Sequence, residues 1–307
     1  AQHRQSVSGV SDSWSGVTNK LKGWGSMLMG YLGGTAIIGG MRSLIQKNVE
    51  LSDAQTAVQR TTQLNDKQVQ QLEKRFSEFN TRTPRLELLK LAEEAGKQGK
   101  NTVDSVATFV DEMNKAKIAL GGDLGEGTIE SLGKLTTIFD TSSLKIGNAI
   151  KAIADNSIAS APYQVDFMMR TAGVANTVKI TADELLGYGA VLENLGQNQE
   201  VSGTAINQFL LKLTSNTEEF GNIAGFAKGE LSQLIGEKGT NAGFVAFLEK
   251  LKGSSTGTQD LIQKLNDLGL DGTRNAAVLL TLANNTELLA KQQVIAKENI
   301  GETTLVM

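Results

Sequence analysis

The chain has 307 residues, enough for one large or two ordinary domains, and 40% of them are hydrophobic, which permits a packed core. It has no cysteine, so disulfides, thiolate metal sites and cysteine nucleophiles are excluded, and its one histidine, His3, excludes histidine-based triads and imidazole clusters. The net charge is −3 with both signs interspersed, which predicts no specific binding to nucleic acid.

The first predicted region, residues 1–47, contains an uncharged, glycine-rich stretch at 23–41. As a helix this stretch would span about 28 Å, close to the thickness of a hydrocarbon core. Trp24 near one end and the Gly30-x-x-x-Gly34 spacing are typical of membrane helices. Its many glycines, however, weaken both the helix and the hydrophobicity. We favour burial against the chain's own core or partner subunits and leave insertion into a membrane as the alternative.

Residues 48–300 form the second predicted region, and their apolar residues recur at helical spacing almost throughout. No run of four or more residues alternates as a strand would. The fold class is therefore predicted to be all-α, as a bundle or solenoid-like core of nine to eleven short helices. The spacing of Val69, Leu72, Phe76 and Phe79 predicts one apolar stripe on a single helix that ends before Pro84.

Several local signals predict where helices start and stop. Asn101 with Asp104 predicts an acidic capping box, and Thr181 with Glu184 predicts a second one. Gly196 is predicted to end the helix that Thr181 starts.

Residues 80–96 carry the most informative local pattern in the chain. Thr83 is predicted to be an N-cap, with Pro84 in the first helical position, where its missing N–H costs nothing. Gly96 is predicted to stop the helix.

The same segment resembles the core region of bacteriophage tape-measure proteins, which have a Thr-x-(Ser/Thr/Pro)-x-x-Glu-Leu helix entry and a Leu-Ala-Glu-x-Ala-Gly ending. The matching residues are Thr81, Thr83, Pro84, Glu87, Leu88, Leu91, Ala92, Glu93, Ala95 and Gly96. Four further stretches resemble the version in prophages of gut Bacteroidetes, in the same order: 161–175, 186–198, 202–213 and 268–285, the last with Gly269, Asp271 and Gly272.

The resemblance implies a structural protein in the lumen of the tail, around which tail-tube subunits polymerise with the help of assembly chaperones. It implies the tail-tube protein, tail-tip proteins and further copies of itself, as a trimer, as partners. It also implies residence in the host cytoplasm during assembly and contact with the host envelope on infection. Residues 301–307 are expected to be the truncated end of a longer chain. Faces rich in small residues are predicted to permit close packing between subunits, at Ala149, Ala152, Ala190 and Ala205.

No catalytic, cofactor or metal site is predicted. Glu130-Ser131 is similar to a lytic transglycosylase pair, but the rest of that motif is missing. Residues 267–272 begin like a calcium loop, yet Val278 stands where a bidentate glutamate is required. The glycines of 121–127 follow a predicted helix rather than a strand, which favours an interhelical loop. A cell-wall hydrolase or a membrane-inserting pore component, through residues 23–41, are the alternative functions.

Overall fold

The computed structural model describes residues 34–121, 126–270 and 272–301, and every regular element among them is an α-helix. The fifteen helices of these residues are α1 (Gly34–Thr62), α2 (Asp66–Ser77), α3 (Arg85–Lys97), α4 (Val103–Ala119), α5 (Glu126–Ile138), α6 (Ser143–Asp155), α7 (Ala161–Thr177), α8 (Ala182–Asn194), α9 (Gln199–Ser215), α10 (Thr217–Ala224), α11 (Glu230–Lys238), α12 (Thr240–Ser254), α13 (Thr258–Asp267), α14 (Thr273–Ala283) and α15 (Thr286–Ile300).

This architecture confirms the all-α prediction for the described residues, but the helices are more numerous than expected. The excess includes two short helices, α10 of 8 residues and α11 of 9 residues. They stop at Gly225 and Gly239, both of which have a positive φ. A positive φ is incompatible with helix continuation and suits glycine, so closely spaced glycines divide this part of the chain into short helices.

The chain divides into two compact units, residues 1–57 and 58–307. In the first unit the described residues belong to α1, where Thr56 Oγ1 donates a hydrogen bond to the carbonyl of Ser52 at 2.9 Å. Gly34 is the first residue of α1, whereas Trp24 and Gly30 lie outside the described residues. The division predicted at residue 47 falls inside α1 and stays a prediction.

Two local signals in the second unit are confirmed. The carboxylate of Glu184 accepts the backbone N–H of Thr181 at 3.0 Å, which is one half of a capping box. Gly196 has a φ of 76° and follows the last turn of α8, as expected of a helix stop. Three residues of the predicted stripe, Val69, Leu72 and Phe76, are buried on α2. The fourth, Phe79, is half-buried and lies beyond the end of α2 at Ser77, so the prediction for it is wrong.

The predicted capping box at Asn101 and Asp104 is wrong by one residue. Thr102 is the N-cap of α4, and its hydroxyl accepts the N–H of Ser105 at 3.2 Å, while Ser105 Oγ accepts the N–H of Thr102 at 3.2 Å. The carboxylate of Asp104 instead forms an ion pair with Arg75 of α2. The box is therefore formed by Thr102 and Ser105, one residue later than predicted, and the side chain of Asp104 is engaged with α2 instead.

Helix α6 lies at the centre of the second unit. Most of its apolar residues are buried, namely Leu144, Ile146, Ala149, Ile150 and Ile153. It packs against α4, α5, α7, α8 and α15. Since α15 comes at the far end of this unit, the unit is a closed bundle and not a solenoid, in which each repeat contacts its sequence neighbours only.

An aromatic cluster forms the core between α8, α9, α10 and α12. The rings of Phe209 and Phe244 stack with centroids 4.1 Å apart, and Tyr188 stacks on Phe244 at 4.9 Å. Phe220 and Phe247 complete the cluster, with centroids 5.1 Å apart. All five side chains are fully buried, so this cluster removes a large apolar area from water.

A partly buried polar network fixes α15 to the bundle. Gln293 lies against Gly187, where an added Cβ would stand 2.3 Å from Gln293 Cγ. Gln293 Nε2 donates to the carbonyl of Glu184 at 3.0 Å and to Asn241 Oδ1 at 2.9 Å. The hydroxyl of Tyr188 donates to the same Asn241 oxygen. Helix α15 is therefore positioned by specific hydrogen bonds as well as by apolar packing.

The small residues predicted to form subunit contacts serve packing within the chain instead. Ala149, Ala190 and Ala205 have no exposed surface, and Ala152 is half-buried. Their side chains allow helices of this bundle to approach one another closely. The prediction that Ala149, Ala190 and Ala205 meet partner subunits is therefore wrong, whereas for the half-buried Ala152 it stays a prediction.

Candidate functional site

The candidate site begins with residues 80–84, called the motif arm, which precede α3. Asn80, Arg82 and Pro84 are exposed, while Thr81 and Thr83 are half-buried. Such alternation is typical of extended backbone, in which successive side chains point to opposite faces. The proline also restricts Thr83 to extended conformations. The motif arm therefore turns one set of side chains to the protein and the other to solvent.

A closed polar network ties the motif arm to α4. Thr83 Oγ1 donates to Asn114 Oδ1 at 2.6 Å, and Asn114 Nδ2 donates to Thr81 Oγ1 at 3.0 Å. Thr81 Oγ1 in turn donates to Thr83 Oγ1 at 2.9 Å and accepts the N–H of Thr83 at 3.1 Å. Asn114 is only 2% exposed, so its amide would lose free energy without these partners. Sequence patterns had not singled out Asn114.

The N-cap prediction at Thr83 is wrong by one residue. Pro84 is the N-cap, with φ −59° and ψ 145°, and α3 begins at Arg85. The carbonyl of Pro84 accepts the N–H of Leu88 at 3.2 Å. The hydroxyl of Thr83 does not cap the helix because it is bound to Asn114.

Gly96 is not the helix stop that the sequence predicts. It lies within α3, and an added Cβ would stand 2.5 Å from Thr61 Oγ1 and 2.6 Å from the Thr61 carbonyl carbon. Its role is close packing of α3 against the end of α1. The stop comes at Gly99, which has a φ of 80° and donates its N–H to the Gly96 carbonyl at 2.9 Å.

The other motif residues of α3 divide into a buried and a charged group. The buried group is Leu88, Leu91 and Ala92. In the charged group, Glu87 pairs with Lys117 of α4 at 2.8 Å and Glu93 pairs with Lys97 at 3.3 Å. Both ion pairs are partly exposed, so they contribute little to stability and mainly fix side-chain positions.

Two open cavities lie along the exposed side of α3. The first, of about 500 Å³, is lined by the motif arm with Glu87, Lys117 and Ile118. The second, of about 580 Å³, is lined by the exposed face of α3 and by residues of α5, among them Glu130. Glu87 and Lys117 line both, so the two cavities meet at this ion pair.

The later motif stretches are joined to each other by hydrogen bonds. Tyr163 of α7 donates its hydroxyl proton to the carbonyl of Gln197 at 2.9 Å. Asn207 of α9 donates to the carbonyl of Arg170 at 2.8 Å, and Gln197 Nε2 donates to Thr281 Oγ1 at 3.3 Å. These bonds link residues 161–175, 186–198, 202–213 and 268–285 into one part of the bundle.

The last predicted motif marks a tight link between α13 and α14. Gly269 has a φ of 64° and follows α13, and Lys212 donates to its carbonyl at 2.7 Å. Gly272, with a φ of 105°, is the N-cap residue of α14. Asp271 lies outside the described residues.

With this geometry in place, a comparison with protein families decides the class of the chain. The sequence model of the family described as Phage-related minor tail protein matches residues 66–284, more than half of the chain. The chain belongs to this family. No curated protein and no solved structure matches this chain. The match covers α2 to α14, so α1 and α15 of this minor tail protein lie outside it.

The family match supports a structural role in a phage tail, and the surroundings of Glu130 do not suit a glycosidase acid. Glu130 is half exposed and pairs with Lys134 at 2.6 Å. The hydrogen bond and the charge of Lys134 lower the pKa of Glu130, whereas a glycosidase general acid requires a raised pKa. Among the described residues, no group of three or more acidic or histidine side chains is placed to hold a metal ion.

The described helices also bear on the predicted membrane segment. None of them is both long enough and apolar enough to cross a bilayer. Most of residues 23–41 lies outside the described part of the chain, so insertion of that stretch into a membrane stays a prediction.

Proposed function

We propose that this minor tail protein is a tape-measure protein, a non-enzymatic scaffold in the lumen of the growing tail. The observation that carries the proposal is the family match over α2 to α14, together with the tape-measure-like motif at residues 80–96. In this role the partners are the tail-tube protein, the assembly chaperones, the tail-tip proteins and two further copies of the chain. The protein assembles in the host cytoplasm and then occupies the tail lumen.

Within such a scaffold, residues 58–307 act as a folded module and not as the measuring rod. As a single helix these residues would extend about 375 Å. A compact domain of this size instead has a radius of gyration of about 18 Å. The aromatic cluster and the Gln293 network connect helices far apart in sequence, which an extended rod does not permit. Length is therefore measured by other residues of the scaffold.

Tail length in electron micrographs tests both statements. The phage gene receives an in-frame deletion of residues 217–285, which removes three rings of the aromatic cluster, Phe220, Phe244 and Phe247. We expect no tails, or tails of normal length that fail in delivery. Tails shortened by about 1.5 Å per deleted residue would show that this region is an extended ruler. Normal infectious particles would contradict the tape-measure proposal.

A second allele separates folding from chain length. Phe244→Asp keeps the number of residues and introduces a charge into the fully buried cluster. If the module must fold, this allele reproduces the defect of the deletion. If only chain length matters, it gives normal tails.

A further inference from the structure

Arg82, in the middle of the motif arm, is an unused cation. It is exposed, and neither its side chain nor its main chain makes a hydrogen bond or an ion pair with any described residue. Its neighbours differ from it. Arg85 forms two contacts with Glu73, at 2.9 Å and 2.5 Å, and Arg75 pairs with Asp104. Arg82 therefore has a guanidinium and main-chain groups available to another molecule.

The cavity beside Arg82 combines apolar and positively charged surface. Pro84 is exposed on one side and Ile118, which is 52% exposed, lies on the other. Its charged lining residues are Arg82, Lys117 and Glu87, which leave a positive balance once Glu87 has paired with Lys117. The chain as a whole is negative, so this local balance favours an acidic ligand.

Hydrogen bonds and a proline also hold the motif arm in place within the protein. The network of Thr81, Thr83 and Asn114 fixes its inward side, and Pro84 restricts the backbone where it enters α3. At Arg82 both the main-chain N–H and the carbonyl lack a hydrogen-bond partner among the described residues, so one residue of an extended peptide can pair with it as in an antiparallel ladder. Because the arm is already ordered, binding costs less conformational entropy than the ordering of a loose loop.

We propose that the motif arm is a docking site for an extended, acidic segment of another tail protein. The segment pairs its main chain with that of Arg82, places an apolar side chain against Pro84 and Ile118, and sets a carboxylate on the Arg82 guanidinium. Its assignment to a tail protein rests on the proposed function, whereas the docking surface does not depend on it.

The test uses the full 307-residue chain and a short synthetic peptide of alternating glutamate and valine. Binding is followed through the backbone amide resonances of Arg82 and Thr83. We expect saturable shifts below about 1 mM peptide and a loss of at least about tenfold in affinity for Arg82→Glu. The matched control, Lys228→Glu, reverses an exposed charge in the loop between α10 and α11 and should leave the affinity within about twofold.

Two further probes separate strand addition from simple charge attraction. A peptide of alternating lysine and valine should not bind, and an acidic peptide with alternate amides methylated should lose most of its affinity because it cannot pair its main chain. Three results would overturn the proposal: the basic peptide binds as tightly as the acidic one, the methylated peptide binds as tightly as the unmethylated one, or the amide resonances do not shift up to about 1 mM peptide. If the same amide resonances shift with protein concentration in the absence of peptide, the arm pairs with a second copy of the chain and the proposal is overturned.

This measurement is independent of tail assembly. Arg82 makes no hydrogen bond or ion pair with a described residue, so we expect Arg82→Glu to melt at the wild-type temperature, and a loss of binding would then come from the changed surface. Failure of the tape-measure proposal in electron micrographs would leave the peptide result unchanged.

Discussion

The motif arm and the aromatic cluster are held in place by different forces. The arm depends on hydrogen bonds among three polar side chains, of which Asn114 alone is fully enclosed. The cluster depends on fully buried rings, such as those of Phe209 and Phe244. A hydrogen bond contributes about 1 kcal/mol net, whereas truncation of a buried phenylalanine costs about 3–5 kcal/mol. The arm is thus built for position, and the cluster for stability.

The largest effect should come from the cluster. We expect Phe244→Ala to lower the free energy of unfolding by about 3–5 kcal/mol in urea denaturation, because it leaves a cavity among stacked rings. Phe226→Ala is the control, since that ring is half-buried and the Nζ atom of Lys250 lies over it, 4.2 Å from the ring centroid. It should cost about 1 kcal/mol. Equal losses would show that the cluster is not the main source of stability.

The next effect concerns packing near the arm. Gly96→Ala would force a Cβ to within 2.7 Å of three Thr61 atoms and should destabilise by about 1–3 kcal/mol. Gly173 lies on an exposed face of α7, where an added Cβ would meet no neighbouring atom within 4 Å. Gly173→Ala should therefore stabilise the protein by about 0.5–1 kcal/mol. Thermal melts of both variants measure the difference. If both substitutions change the melting temperature in the same direction, the close approach of α3 to Thr61 is contradicted.

Removal of the polar network should cost less stability but should mobilise the arm. Asn114→Ala is expected to lower the unfolding free energy by about 1–3 kcal/mol, because Thr81 and Thr83 lose their buried partner. Hydrogen exchange should accelerate at the Thr83 amide and not at the aromatic cluster. Asn176→Ala, at an exposed site in α7, should change stability by less than about 0.5 kcal/mol. Unchanged exchange at Thr83 would show that the network does not hold the arm.

The smallest effect is a dependence on pH. Burial, followed by the neighbouring charge of Asp111, raises the pKa of Glu112 above the ordinary 4.5. A raised folded pKa means that the native state favours the protonated form. That contribution is complete below the unfolded pKa and is lost as pH rises through the folded value. Glu112→Gln should therefore gain stability relative to the wild type as pH rises from 4.5 towards 7, by less than about 0.5 kcal/mol.

The aromatic cluster supplies the comparison for this pH profile. Phe244→Ala should lower stability equally across the same pH range, because it removes an apolar ring and no titrating group. Urea midpoints at several pH values measure both variants. If the stability of Glu112→Gln changes with pH as steeply as that of the wild type, another group causes the pH dependence.

The parts of the fold that the sequence predicts are those whose information lies within a few residues. Thr181 and Glu184 are three residues apart and face one another in the first turn of α8, so their pairing needs no tertiary knowledge. The stop at Gly196 likewise follows from the left-handed conformation that glycine tolerates. The all-α class follows in the same way from apolar spacing.

The errors arise where distant residues meet. Asn114 lies about thirty positions from Thr83 in sequence, and a polar residue in the middle of a helix usually faces solvent. Gly96 stands near a helix end, where glycine normally signals a stop, yet its space is taken by Thr61. By sequence Arg82 is an ordinary surface arginine. Only the structure shows that it lacks an ion pair while Arg75 and Arg85 each have one.

The position of α15 separates an evolutionary boundary from a folding boundary. The family match ends at residue 284, but Gln293 completes the network with Glu184 and Asn241, and α15 covers α6 and α8. A fragment cut at residue 284 would leave these polar groups unpaired and open a hydrophobic trough to water. We expect such a fragment to be less stable than the whole unit, because burial of this apolar surface is lost. The stable folding unit therefore includes α15, which the family match does not.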